Sequence, residues 1–181
     1  RPALVGVGQR LWVYPGSTTR LRRRKDPMIA PLPDDEQQRL QSLRALAILD
    51  TPPEERFDRI TRLAAQFVGT PIVLISLVDE ARQWFKSAVG LDATQTPRDV
   101  AFCAHAILDA GVLVVPDAHD DPRFAQNPLV TGAPHVRFYA GAPLSLPSGA
   151  RIGTLCAIDT QSRTLSERER SALVDLAQIV V

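Results

Sequence analysis

Residues 70–90 read TPIVLISLVDEARQWFKSAVG, and this stretch decides the fold. Ile72–Val78 is nearly all apolar and rich in β-branched residues, broken only by Ser76. Such a run reads as a central strand buried on both faces. Asp79–Ala81 reads as a turn, and Arg82–Val89 as the returning strand. A link this short joins antiparallel neighbours, because a parallel crossover needs a dozen residues or more.

Working outward toward the N-terminus, Leu40, Leu43, Leu46 and Ala47 recur at helical spacing through Ile48. In DTPPEERFDRITRLAAQFVG (residues 50–69), Thr51 is placed to cap a helix, Pro52 to occupy its first turn and Glu54 to complete a capping box. Phe57, Ile60, Leu63, Ala64 and Phe67 then make one apolar stripe, and Gly69 stops the helix.

Toward the C-terminus, TPRDVAFCAHAIL (residues 96–108) reads as a helix, with Thr96, Pro97 and Asp99 at its start. Gly111–Asp117 gives a short strand stopped by Pro116. Ala118–Pro134 is a long loop with one helical turn around Arg123, and loops of this length are often functional. VRFYAGAPLSL and ARIGTLCAIDT form a hairpin around Pro147–Gly149. In its second strand Ile152, Thr154, Cys156 and Ile158 face one way and Gly153, Leu155 and Ala157 the other, so both faces are expected to be covered. Ser166 and Glu169 have capping-box spacing before a stripe of Leu173, Leu176, Ala177 and Val180. No stop signal precedes Val181, as if that helix continued. The order of elements describes an α+β domain around a mostly antiparallel sheet.

The 181 residues suit one domain, and 45% hydrophobic with 23% charged residues is ordinary for a globular protein. No apolar run is long enough to span a bilayer, and no secretory signal is visible. Two cysteines make no disulfide framework, which favours a reduced, cytoplasmic setting. The net charge of +1 hides an asymmetry: RLRRRK (residues 20–25) makes the N-terminal stretch basic, and the remainder is mildly acidic. Residues 1–33 read as a basic arm, flexible or foreign to the natural protein, with translation starting at Met28. Contact of that arm with nucleic acid or an anionic membrane is the less favoured reading.

Six ordered blocks carry a resemblance: ILDTPPEERFDRITRLAA, ISLVDEARQWFKS, TPRDVAFCAHAIL, VVPDAHDDPRFAQNPLVTG, VRFYAGAPL and GTLCAIDT. Over residues 34–181 the chain resembles the GAF domains of bacterial signalling proteins, which are commonly fused to histidine kinases or diguanylate cyclases. The resemblance implies a GAF-like α+β fold with a central antiparallel sheet of about six strands. Terminal helices would lie on one face, with a ligand pocket under a short helix and loops on the other. It implies a non-catalytic sensory or regulatory domain that signals through its terminal helices to an output domain of a two-component or diguanylate cyclase system, and the apolar stripes of those helices point to pairing there as a homodimer.

The ligand class stays unknown. Cys103 and His105, two apart on a helix, point roughly 200° away from each other and cannot share a metal. No Cys-x-x-Cys or His-x-x-x-His occurs, so there is no metal signature. No haem signature is present, and Cys-Ala-His without an Asp-Ile-Pro stretch does not match bilin-binding members. The Asn-Lys-Phe-Asp-Glu motif of cyclic-nucleotide-binding members is missing. The candidate pocket takes apolar contacts from Trp84, Phe85, Phe102, Phe138 and Tyr139, and polar ones from Asp79, Arg98, Asp117 and Arg137. Cys103 and Cys156 complete the set. The alternative is a redox enzyme using Cys103, similar to free methionine sulfoxide reductases.

Overall fold

The structure, a computed structural model, describes residues 27–181. The basic run of the N-terminal arm lies outside the described residues. Helices α1 (Glu36–Ala45) and α2 (Glu55–Val68) precede strands β1 (Ile72–Val78), β2 (Arg82–Val89) and β3 (Gln95–Pro97). A 3-10 turn (Arg98–Val100) leads into α3 (Phe102–Ala106), then β4 (Leu113–Val115) and α4 (Pro128–Thr131). The hairpin of β5 (Phe138–Ser145) and β6 (Arg151–Asp159) and helix α5 (Glu167–Val180) complete the chain.

The six strands form one sheet in the order β3-β2-β1-β6-β5-β4, every neighbour antiparallel. β1 lies between β2 and β6 and is buried along all seven residues, as its nearly all-apolar run dictates. On one face Val73, Ile75 and Leu155 pack with Phe57 and Ala64 of α2 and Leu173 of α5. On the other, Leu74, Phe85, Tyr139 and Cys156 pack under α3 and the loop carrying Phe124. These are the helix side and the lid side of the sheet.

Several local expectations are corrected. α1 stops at Ala45 because Ala47 and Asp50 adopt positive φ, and Leu46 is left exposed. Thr51 does not cap α2: its hydroxyl donates to the Ile48 carbonyl at 2.6 Å and accepts from Lys86 Nζ at 2.7 Å. Lys86 also donates to the Pro52 carbonyl and pairs with Glu54, pinning the start of α2 to β2. The buried stripe of α2 is Phe57, Ile60, Thr61, Ala64 and Val68, so Leu63 and Phe67 face outward. Thr61 is accepted inside because its hydroxyl meets Ser87, which in turn donates to Asp58. Gly69 does end α2, with a left-handed φ of 66° and its amide donating to Ala65.

Thr96 and Pro97 open no helix; they belong to edge strand β3, where a proline is tolerated. Ile152 joins the helix side with Leu155 and Ala157, because the register of β5 and β6 shifts between Leu144 and Ser145 and turns it over. At α5 the expected capping box is present: Ser166 Oγ accepts from the Glu169 amide and Glu169 Oε2 accepts from the Ser166 amide.

Candidate functional site

Helix α3 is only five residues long, yet every one is buried. Its position is set from outside. Arg151, at the start of β6, donates to the carbonyls of Ile107 and Leu108 just past its C-terminus, at 2.5 and 3.3 Å. Asn127 donates through Nδ2 to the Val100 carbonyl at 3.0 Å, while its Oδ1 accepts from the Leu129 amide and caps α4. One buried asparagine thus joins the long loop to the segment before α3. Phe102 stacks on Phe124 from that loop, with centroids 4.0 Å apart, and lies 5.2 Å from the Tyr139 ring.

Cys103 and His105 diverge. Cys103 Sγ faces the sheet, where it accepts from Thr154 Oγ1 at 3.0 Å and from the Tyr139 hydroxyl at 3.3 Å, and lies 3.8 Å from Cys156 Sγ. His105 sits edge-on to Phe124, and its Nε2 donates to the Met28 carbonyl at 3.0 Å. Burial lowers the His105 pKa, which keeps the ring neutral.

The eleven candidate residues do not converge on one place. Phe85, Phe102, Cys103, Tyr139 and Cys156 belong to the lid side. Trp84 and Phe138 belong to the helix side, because strand alternation turns each away from its neighbours Phe85 and Tyr139. Asp79 sits in the β1–β2 turn, capping the Glu80 amide and accepting from Arg82. Asp117 pairs with Arg137 beside the opposite edge strand, β4, and the guanidinium holds its carboxyl down at about 2. Arg98 donates to Glu36 at 2.5 Å and to the Asp79 carbonyl at 3.1 Å.

That last contact belongs to a cluster the sequence did not disclose. Glu36, in the first turn of α1, bridges Arg98 and the buried Arg39, whose Nη1 also donates to the Val78 carbonyl at 2.7 Å. Burial alone would raise the Glu36 carboxyl, but the two guanidiniums outweigh it and bring it to about 2. The segment entering α3 is therefore ionically fastened to α1.

The lid side also carries polar atoms left without partners. Among the described residues, Ser76 Oγ, Gln83 Oε1 and Thr96 Oγ1 are buried and meet no hydrogen-bond partner. They lie on adjacent strands β1, β2 and β3, and the pairings Ser76 to Phe85 and Gln83 to Thr96 put all three on one face. Residue type alone drew attention to aromatics and charges, and these three uncharged residues escaped it. Strand alternation was the signal that would have found them.

Comparisons with known proteins follow this geometry. A family model described as the GAF domain matches residues 52–181. A cyclic di-GMP phosphodiesterase of Pseudomonas aeruginosa is 46% identical over 152 residues, which are 83% of this chain. The chain spans about a quarter of that relative's length (26%). The GAF domain of an Acinetobacter phosphoenolpyruvate-protein phosphotransferase superposes with a TM-score of 0.60 at 18% identity, covering 82% of this chain and 92% of that one. The free methionine-R-sulfoxide reductase of Neisseria meningitidis, solved with its substrate, gives 0.57 at 20% identity, covering 80% and 84%. At these identities the two structures share the fold alone. No helix among the described residues is long and apolar enough to cross a membrane.

Proposed function

The chain belongs to the GAF domain family, and from that premise we propose that it is a non-catalytic small-molecule-sensing domain whose terminal helices signal to an output domain acting on cyclic di-GMP. The output is argued from the 46% identical relative, a cyclic di-GMP phosphodiesterase much longer than this chain.

The observation that carries the sensing reading is the trio Ser76, Gln83 and Thr96. A buried polar group without a partner costs about 1–3 kcal/mol, and a ligand bringing its own donors and acceptors recovers that cost. The ligand class is a small polar organic molecule with an apolar portion, offering a donor to Gln83 Oε1 and meeting two hydroxyls. Because Phe102, Phe124 and Tyr139 are closely packed, the ligand enters as α3 and its loop shift. Arg98, immediately before α3, carries the shift to Glu36 at the head of α1. A ligand that favours the shifted arrangement biases the two-state equilibrium. In the same reading two copies pair along the terminal helices, where Leu46, Leu63, Phe67 and Ile179 are exposed.

Native mass spectrometry of the protein from its host, followed by calorimetric titration of the retained compound, tests this. Saturable binding that weakens at least tenfold in Gln83→Met is expected. Retention of nothing, with no response to a panel of polar metabolites, overturns it. A second reading, reduction of free methionine sulfoxide, is favoured by the two adjacent thiols. Turnover with a thiol reductant, lost in Cys103→Ser, would replace the sensory reading.

A further inference from the structure

Cys103 and Cys156 come from α3 and β6, 53 residues apart in sequence, and their sulfurs lie 3.8 Å apart between helix and sheet. Both are free thiols and fully buried, 1% and 0% exposed. A disulfide needs a separation of about 2.05 Å, so the sulfurs must close by a little under 2 Å, the scale of a side-chain torsion change with a slight settling of α3.

Their surroundings are unequal. Thr154 Oγ1 and the Tyr139 hydroxyl both donate to Cys103 Sγ. The Tyr139 hydroxyl reaches Cys103 Sγ, whereas Cys156 Sγ has the Leu74 backbone and Thr154 beside it. Burial alone would raise the Cys103 thiol, but hydrogen bonding with Cys156, Thr154 and Tyr139 outweighs it and brings it down to about 7. The contact with Cys103, together with burial, pushes Cys156 well up. One thiol is prepared to attack, and the other stays protonated beside it.

We propose that Cys103 and Cys156 form an oxidisable dithiol, in which a hydroperoxide oxidises Cys103 and Cys156 resolves it into an intramolecular disulfide that fastens α3 to β6. The Cys103 thiolate attacks the distal peroxide oxygen. The O–O bond breaks, Cys103 becomes a sulfenic acid, and the departing alkoxide takes up the proton that the thiol released, leaving as alcohol. Cys156 sulfur then attacks the sulfenyl sulfur; the S–O bond breaks, and hydroxide leaves with the Cys156 proton as water. The two thiols lose two electrons and the hydroperoxide gains them. The inference goes beyond the sensing reading and does not rest on any ligand occupying the lid side.

The test treats the reduced full chain with tert-butyl hydroperoxide, then counts thiols and weighs the intact protein. Both thiols are expected to vanish together, with a mass loss of two hydrogens and a peptide linking Cys103 to Cys156, all reversed by dithiothreitol. Cys156→Ala is expected to hold a sulfenic acid on Cys103 that dimedone traps. In Cys103→Ala, Cys156 is expected to react at least tenfold more slowly. Because its hydrogen bonds lower the Cys103 thiol, the wild-type rate is expected to rise less steeply from pH 7 to 9 than that of free cysteine measured alongside. Thiols that stay free, links between chains, or oxygen adducts on either sulfur without a cross-link overturn the proposal. The wild-type measurements stand if an alanine variant fails to fold.

Discussion

The two faces of the sheet are built from the same strands and do different work. On the helix side, β1 and β6 send Val73, Ile75, Leu155 and Ala157 into a layer of α2 and α5 side chains. The elements there are fourteen-residue helices with caps at the sheet-proximal turns. On the lid side, alternate residues of the same strands present Ser76, Thr154 and Cys156 to a five-residue helix and a loop. The first face is mostly apolar, and its buried Thr61 and Ser87 are paired with each other. The second tolerates unpaired polar atoms and two thiols, and its covering elements are fastened by polar contacts from Arg98, Asn127 and Arg151. Strand parity, not sequence region, separates stability from chemistry.

Phe138→Ala probes the helix side most severely. A fully buried aromatic truncated in a packed layer costs about 4 kcal/mol, read as a shift in the urea midpoint, while the hydroperoxide rate at Cys103 stays within twofold. An equal effect on that rate would dissolve the distinction between faces. Glu36→Gln comes next, at about 3 kcal/mol, because it strands the buried Arg39 and Arg98 without their counter-ion. It has a pH signature as well. The folded carboxyl sits at about 2, below its ordinary 4.5, so the unfolded chain binds more protons between those values. The contribution is complete above about pH 5 and is lost as pH falls toward 2. The variant's stability curve is therefore flatter across that range, which equilibrium unfolding from pH 2 to 6 measures.

Ser76→Ala sharpens the contrast from the lid side. It removes a polar atom that has no partner among the described residues, so the change stays within about 1 kcal/mol and falls on the stabilising side; a loss of 2 kcal/mol or more in thermal unfolding would mean that a hidden partner exists. The smallest effect is expected of Phe67→Glu, at 54% exposure. Its stability stays within about 0.5 kcal/mol, yet sedimentation shifts toward monomer if the terminal-helix face pairs two copies.

The helix side was legible because its signals are local. The apolar run Ile72–Val78, the box at Ser166 and the stop at Gly69 each need a few neighbouring residues, and each stands as read. The antiparallel sheet and the GAF resemblance followed from such signals in order. The site was less legible because its parts meet only in three dimensions. Glu36 and Arg98 are 62 residues apart. Thr96 carries good helix-start chemistry, yet pairing with Gln83 draws it into a sheet edge. Trp84 and Phe138 were chosen by type, while parity assigned them to the other face.

Gly141 is an inconspicuous position with remote leverage. It pairs with Cys156 across the hairpin, and a Cβ built on it would overlap the Tyr139 phenol oxygen. Even an alanine there would push that phenol aside and withdraw its proton from the sulfur of Cys103. A single methyl group, touching neither cysteine, would thus detune the acidity of one and leave the scaffold standing, a silent route by which related chains would differ in reactivity while looking alike in outline.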